Sequence, residues 1–534
     1  MKNVFLTLAI VLFTLSAAAM PARHGARQIT QPDGSTITVY AHGDEHCHWL
    51  TNEQGEWVEH GEDGYYRVTE RLTEKQIQEK RRNSPYRTPE EAQTAIRLNI
   101  APRGLVIMAE FQDVKFSVSR AVIDTMLRGY NFTREYDYTY NKEDYHVSSY
   151  GSARQYFELS SFGQYSPQFD LVGPVTLSQN MSYYGSNSAG RDANVQQMIK
   201  EACELAAKAG ADFSLYDNDN NGKVDFVYII YAGYGEADGG PAETVWPHKS
   251  VLRKYTLKLN GKQIYDYACG NEMNFYSKRY FGIGQFVHEF GHVLGLPDIY
   301  ETTGNAVYKT CGMWDIMDYG PYNNDGNTPP AYTAYERFFC GWLTPRQLSE
   351  PENVTLRSLT SYNEALIISP AGTHNLKGND PFPLSFYMLE NRQPEWWDSS
   401  LPGHGMTITK IQYNYSTWTS NVVNNTENGL GIDIIEADGT APKYPDTGWY
   451  GKAGDAFPAG ATFYKAIIDN AITDIKETDG VITFKYRGGS VSSIISSTET
   501  DSKQEKKVVK EGNIYIIREG QTYDILGRKT QIRL

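Results

Sequence analysis

The run Gly284-Gln285-Phe286-Val287-His288-Glu289-Phe290-Gly291-His292-Val293-Leu294-Gly295-Leu296-Pro297-Asp298 constrains this chain more than any other. Ile283, Phe286, Val287, Phe290 and Leu294 recur at three- and four-residue spacing, which predicts a helix with one apolar face packed into a core. On that helix His288 and His292 stand four residues apart, one above the other, and Glu289 lies one residue round the turn. Gly295 ends the helix, because glycine tolerates the left-handed conformation of a helix terminus. The reversal then returns Asp298 towards the two imidazoles. Two imidazoles and one carboxylate leave the fourth position of a tetrahedral zinc open, as a catalytic rather than a structural site requires. A glutamate beside that position is placed to act as general base on zinc-activated water. The alternative is a core helix that carries these side chains by accident; the glycine and aspartate at fixed distance beyond it, and the amphipathic setting, favour the metal.

At 534 residues the chain is too long for one core. A formal net charge of −14 argues against nucleic acid as a partner, since nothing would neutralise phosphates, and solubility alone accounts for such acidity. The 39 tyrosines and 47 glycines suit β-rich, loop-rich extracellular material. Lys2, the apolar run Val4 to Leu15 and the small residues Ser16-Ala17-Ala18-Ala19 predict a secretory signal over 1–20, and hence a secreted or cell-surface protein. No second run approaches the ~20 apolar residues of a spanning helix, so no transmembrane segment is expected in the mature chain. Five cysteines, Cys47, Cys203, Cys269, Cys311 and Cys340, form an odd set for an exported chain. If the N-terminal region is removed, Cys47 leaves with it and the other four allow three pairings.

Residues 21–102 read as a propeptide. Turns at Gln31-Pro32-Asp33-Gly34 and Glu62-Asp63-Gly64 flank the strand Thr36 to Tyr40, and a charged tether with Lys80-Arg81-Arg82 follows. Basic residues in an exposed tether suit proteolytic removal; an N-terminal domain that stays attached is the alternative. Within this region Cys47, between His46 and His48, offers a thiolate to the open zinc position as a latency switch, or is an incidental cysteine.

Residues 103–345 alternate buried strands with helical stretches. Gly104 to Phe111 and Val224 to Tyr231 have strand length and apolar character; Gln155-Tyr156-Phe157 and Val195 to Ala207 have helical periodicity. The expectation is a mixed α+β catalytic domain with a central sheet and the zinc helix after it. Asp217, Asp219, Asn221 and Asp225, with Gly222 at the sixth position, match the opening of a calcium loop, although Tyr228 stands where a twelfth-position glutamate belongs. An Asx-rich turn entering a strand is the other reading. Met317 follows Asp298 at a distance that lets a tight turn place it beneath the metal, and Tyr319 could then reach the zinc or a developing oxyanion. A core methionine with a loop tyrosine fits the spacing equally. Residues 346–488 show short strands between turns, the texture of a β-sandwich-like domain. A linker at 489–507 and a tail at 508–534 complete the chain, the tail too small for a core of its own.

His288 to Tyr300 together with Trp314-Asp315-Ile316-Met317 resembles the immune inhibitor A-like secreted zinc metallopeptidases, relatives of the metzincins. Similar blocks run from Gln31-Pro32-Asp33-Gly34 through Trp246-Pro247-His248 and Glu390-Asn391-Arg392 to Gly454-Asp455-Ala456-Phe457-Pro458. The resemblance implies a secreted precursor of a zinc endopeptidase acting on protein or peptide substrates. It places the zinc ligands on His288, His292 and Asp298, the general base on Glu289, the methionine turn on Met317 and an assisting role on Tyr319. Asp298 stands where most metzincins carry a third histidine, as this family does. The tail Val508 to Leu534 is similar to sorting tails of Bacteroidetes proteins exported by type IX secretion, which implies that secretion machinery is a partner. Two other functions fit fewer features: a surface adhesin with a vestigial protease domain, and a zinc hydrolase of a non-peptide amide or ester.

Overall fold

The structure is a computed structural model of the chain. It describes residues 20–77 and 101–489, apart from 24, 45–46, 62, 74, 131, 188–190, 303–309, 426–428, 443–449, 460–462 and 465–471, together with strand backbone at 505–510, 513–518, 521–524 and 529–530. The expected signal segment up to residue 19, Lys80-Arg81-Arg82 and most of the expected linker lie outside the described residues.

The N-terminal module is an antiparallel meander of five strands, β1 (Arg27–Thr30), β2 (Thr36–Asp44), β3 (Cys47–Asn52), β4 (Trp57–His60) and β5 (Tyr66–Val68), each paired with the next. Successive residues of a strand face opposite sides. Val39 and Ala41 of β2, Leu50 of β3 and Val58 of β4 therefore make one apolar face, which packs on Ala237 and Trp246 of the following domain. So small a sheet has little core of its own, and docking completes it.

The central sheet has the order β11-β14-β10-β6-β9, with β6 (Arg103–Glu110), β9 (Gln168–Thr176), β10 (Val227–Tyr234) and β14 (Asp266–Met273) parallel and β11 (His248–Val251) an antiparallel edge. The continuous apolar runs follow from burial of both faces. Val106 and Met108 of β6, with Tyr228 and Ile230 of β10, enter one core together with helix α4 (Gly284–Val293) and helix α2 (Ala153–Ser160). Leu105, Ile107, Val227 and Ile229 face the other way, onto Met198, Ile199, Ala202 and Cys203 of α3 (Val195–Lys208). Helix α1 (Arg120–Arg128) lies with α2 on the first side, through Ile123 and Leu127. A hairpin of β7 (Thr133–Tyr140) and β8 (Glu143–Tyr150) joins α1 to α2, and a smaller one, β12 (Leu257–Leu259) and β13 (Lys262–Ile264), precedes β14.

Beyond α5 (Ala334–Cys340) the chain forms two more sheets. One has the order β15-β17-β18-β19-β20: Arg346–Gln347, Ala365–Ile368, Ser385–Arg392, Gly405–Gln412 and Ile432–Ile434. The other has the order β16-β23-β22-β21: Glu352–Leu356, Val481–Tyr486, Ile472–Thr478 and Phe463–Tyr464. Leu366, Ile368, Leu389 and Ile408 of the first meet Val354, Leu356, Ile482 and Phe484 of the second in a shared core. The opposite face of the first sheet, Ile367, Phe386, Met388 and Ile411, joins the core that holds α4. The C-terminal sheets are thus packed into the catalytic unit rather than hung from it. The last four strands, β24 (Glu505–Lys510) to β27 (Lys529–Thr530), form a separate antiparallel meander, whose first strand begins inside the stretch expected as linker. Among the described residues no helix is long and apolar enough to cross a membrane.

Candidate metal centre and cleft

All ten residues of α4 are buried. Its apolar face is the one expected: Phe286 and Phe290 pack on Phe169 and Phe226, which fixes the helix against the sheet. Gly295 takes φ of +91° and donates its N–H to His292, and Leu296 donates to Gly291. That reversal brings Asp298 Oδ1 to 3.4 Å from His288 Nε2 and 3.3 Å from His292 Nε2. Each imidazole donates Nδ1–H to a backbone carbonyl at 2.8 Å, His288 to Ile316 and His292 to Leu296. Both rings therefore present Nε2 inwards, in the tautomer a metal ligand needs. The two Nε2 atoms and Asp298 Oδ1 are buried and make no hydrogen bond to any other group. Three buried lone-pair donors of this chemistry, converging without partners, fit a zinc ion. Burial depresses the His292 pKa and keeps the ring neutral. Burial works against the charge on Asp298, but the neighbouring imidazoles hold it below the ordinary carboxylate range.

Beneath the helix runs the turn Asp315-Ile316-Met317-Asp318. Asp315 Oδ1 accepts the Met317 N–H at 2.7 Å, and the Met317 carbonyl accepts from Ile299, next to Asp298. Met317 packs so closely on the helix that a Cβ at Gly291 would stand 2.5 Å from its sulfur. Gly291 is thus the residue that lets methionine approach between the two histidines. Tyr319 is buried, with its ring against Tyr450 and Tyr300; it shares an apolar pocket with Phe281, Tyr322 and Met20.

The C-terminal sheets supply contacts that sequence reasoning did not single out. Asn421 donates Nδ2–H to Asp298 Oδ2 at 2.5 Å and accepts the Asp298 N–H at 2.6 Å, clamping the ligand from both sides. Asn424 donates to the Ile299 carbonyl and Asn425 accepts from Thr302 N–H. Buried Arg392, paired with Asp398 and Glu390, donates to the carbonyls of Trp314 and Ala331. Arg392 and its neighbours carried the family resemblance as a block; Asn421 carried no signal beyond an asparagine-rich loop.

The cleft over the site is filled by the chain itself. The Met20 backbone nitrogen lies 3.3 Å from Glu289 Oε1, and the Trp246 indole donates to the Met20 carbonyl. The Tyr322 hydroxyl donates to the Pro21 carbonyl, and Arg23 N–H to the carbonyl of Ala237. Further along, His48 stacks on Trp246, with centroids 4.3 Å apart, and its Nε2 lies 3.3 Å from Glu236 and 2.7 Å from Asn187. Cys47, the sequence candidate for the zinc position, is not brought there. It faces the opposite side of β3, buried with Trp57 and Ile77. Asp217, Asp219 and Asp225 do converge, but the Lys262 ammonium sits 2.6 Å from Asp217 Oδ2, and Asn221 spends its side chain on Asp219 and on the Lys223 N–H. Lys262 thus brings a cation of the chain's own to Asp217, beside the converging carboxylates. All five cysteines are buried.

Residues 99–342 match the immune inhibitor A peptidase M6 catalytic domain. The chain is also similar to the pre-pro-metalloprotease PrtV of Vibrio cholerae serotype O1, 27% identical over 286 residues that cover 45% of this chain and 30% of that protein. Similarity to immune inhibitor A of Bacillus thuringiensis subsp. alesti is 25% over 286 residues, covering 44% of this chain and 39% of that protein. The aligned part is thus well under half of either relative. The matched segment contains α4, the three converging ligands and Glu289. Over residues 99–342 the chain is therefore similar to the metallopeptidase catalytic domains of the immune inhibitor A family.

Proposed function

We propose that the chain is a secreted zinc endopeptidase, made as a precursor whose N-terminal module lies in its own cleft. The observation that carries this reading is the convergence of His288, His292 and Asp298 beside a glutamate that a peptide N–H already meets. His288, His292 and Asp298 would hold the zinc, which supplies Lewis acidity, acidifying water and polarising a carbonyl. Glu289 accepts the proton of the attacking water and delivers it to the leaving nitrogen. The Met20 amide marks where that nitrogen lies: within hydrogen-bond reach of the carboxylate that must protonate it. Cleft walls of Phe281, Tyr319 and Tyr322 exclude water and take the side chain next to the cleaved bond. A backbone amide on Glu289 favours peptide substrates over acyl esters.

The signal would end within Ser16 to Ala18, inside the expected 1–20, so that the Met20 nitrogen that meets Glu289 stays in a peptide bond. Residues up to about 102 would be removed on activation; the Vibrio relative's name likewise describes a pre-pro protein. The C-terminal sheets act as a brace for the site. Metal analysis of the purified chain, with casein zymography in the presence and absence of chelator, tests the activity. Glu289→Gln is expected to keep its zinc and lose roughly 10²–10⁴-fold in turnover. Full zinc-dependent proteolysis by that variant would remove Glu289 from its role.

A further inference from the structure

Arg23, three residues along the chain from the amide on Glu289, enters a pocket built entirely by the catalytic domain. Its Nη1 lies 3.2 Å from Asp238 and 3.1 Å from Asp325. Both carboxylates are held in place. Asp238 accepts the Phe275 N–H, and Asp325 accepts from Asn274 at 2.6 Å and from the Tyr136 hydroxyl at 2.9 Å. The guanidinium lies over the Tyr276 ring, 4.3 Å from its centroid, with Tyr322 at 5.6 Å on the other side. The Tyr276 hydroxyl is buried without a hydrogen-bond partner and stands 2.8 Å from where a Cβ at Gly25 would be, so it faces the path of the N-terminal segment.

These features describe more than an acidic patch. The side chains of Asp238 and Asp325 are 0% and 1% exposed. When the module leaves, the two carboxylates lose the counter-charge of Arg23, while Phe275, Asn274 and Tyr136 still hold them side by side. Two carboxylates held this close to each other favour the next cation to arrive. Aromatic walls on both sides select a flat or extended cation. The pocket also lies on a line a substrate shares: both the module and a substrate place an amide nitrogen at Glu289, and the module then runs on past Ala237 to the pocket.

We infer that the pocket of Asp238 and Asp325 is a substrate subsite for an arginine or lysine side chain, which Arg23 occupies in the precursor. Counted from the nitrogen on Glu289, it receives the fourth residue on the amine side of the cleaved bond. The subsite presupposes the peptidase activity proposed above, and the following experiment separates the two. The secreted, processed, zinc-loaded chain is given two fluorogenic peptides identical except at that fourth residue, arginine in one and its neutral isostere citrulline in the other. Product masses establish which bond is cut. The arginine peptide is expected to have kcat/KM about tenfold or more above the citrulline peptide, chiefly through KM, in keeping with a charge-assisted pair. In Asp325→Asn that ratio should fall towards one. Equal cleavage of both peptides by the wild-type chain overturns the subsite and leaves the peptidase standing. A cut that leaves the designed bond in the arginine peptide alone overturns it as well. Failure to cut either peptide overturns the peptidase reading and the subsite with it.

Discussion

The Met20 nitrogen lies 3.3 Å from Glu289 Oε1, while the Met20 carbonyl accepts the indole N–H of Trp246. One residue thus engages the carboxylate proposed to move protons through its nitrogen and is held through its carbonyl. Arg23 anchors this arrangement three residues on. Arg23→Glu places a third carboxylate against Asp238 and Asp325, and should loosen the segment from the cleft. The intact precursor, its mass confirmed, is then expected to cleave a short peptide at least tenfold faster than the unaltered precursor. An unchanged rate would show that Arg23 plays no part in closing the cleft.

Docking of the module should weaken as pH rises. Burial alone would lower the His48 pKa, but the charge and hydrogen bond of Glu236, with Asp192 nearby, raise it from 6.5 to about 9. The stabilisation is fully present below pH 6.5 and is lost as pH climbs through 9, an effect on the order of 3 kcal/mol. A chain nicked between residues 78 and 100 and run on a size-exclusion column should retain its module at pH 6 and release it near pH 10. His48→Gln should flatten that dependence.

Gly291→Ala would push a methyl group to within 2.5 Å of the Met317 sulfur. Overpacking of this kind costs about 1–3 kcal/mol. Urea unfolding should show the loss in the wild-type background and little of it in Met317→Ala, where the sulfur is gone. Equal losses in both backgrounds would mean that helix and turn do not meet through this pair.

Asn421 has φ of +53°, so alanine there would add backbone strain to the loss of the amide. Asn421→Gly removes the side chain without that strain. With Asp298 no longer clamped, zinc affinity measured against a competing chelator should fall roughly 10–100-fold while the far-UV spectrum stays the same. Unchanged affinity would limit Asn421 to a packing role.

The zinc helix was legible because its information is local: apolar residues at helical spacing, two histidines one turn apart, and a glycine that returns Asp298. The buried strands were legible for a similar reason, both faces of β6 and β10 being apolar. What escaped depends on pairing across distance. Cys47 was read by its thiol chemistry, but a strand alternates faces, and in β3 it is His48 that turns towards the catalytic domain while Cys47 turns into the module. At the acidic loop of Asp217, the approach of Lys262 from a separate hairpin likewise gives no local sign in the sequence. Met20 to Arg23 looked like the tail of a signal and a polar lead-in, since nothing local marks four residues as the occupants of a cleft.

Asn421 follows Asp298 by 123 residues, so the order of synthesis matters to the metal centre. A ribosome releases the helix, both histidines and Asp298 well before it releases the residue that clamps the third ligand. During that interval the three converging side chains lack the clamp of Asn421, and the module that fills the cleft has already emerged. Cover over the cleft thus precedes completion of the metal centre in time, as well as lying above it in space.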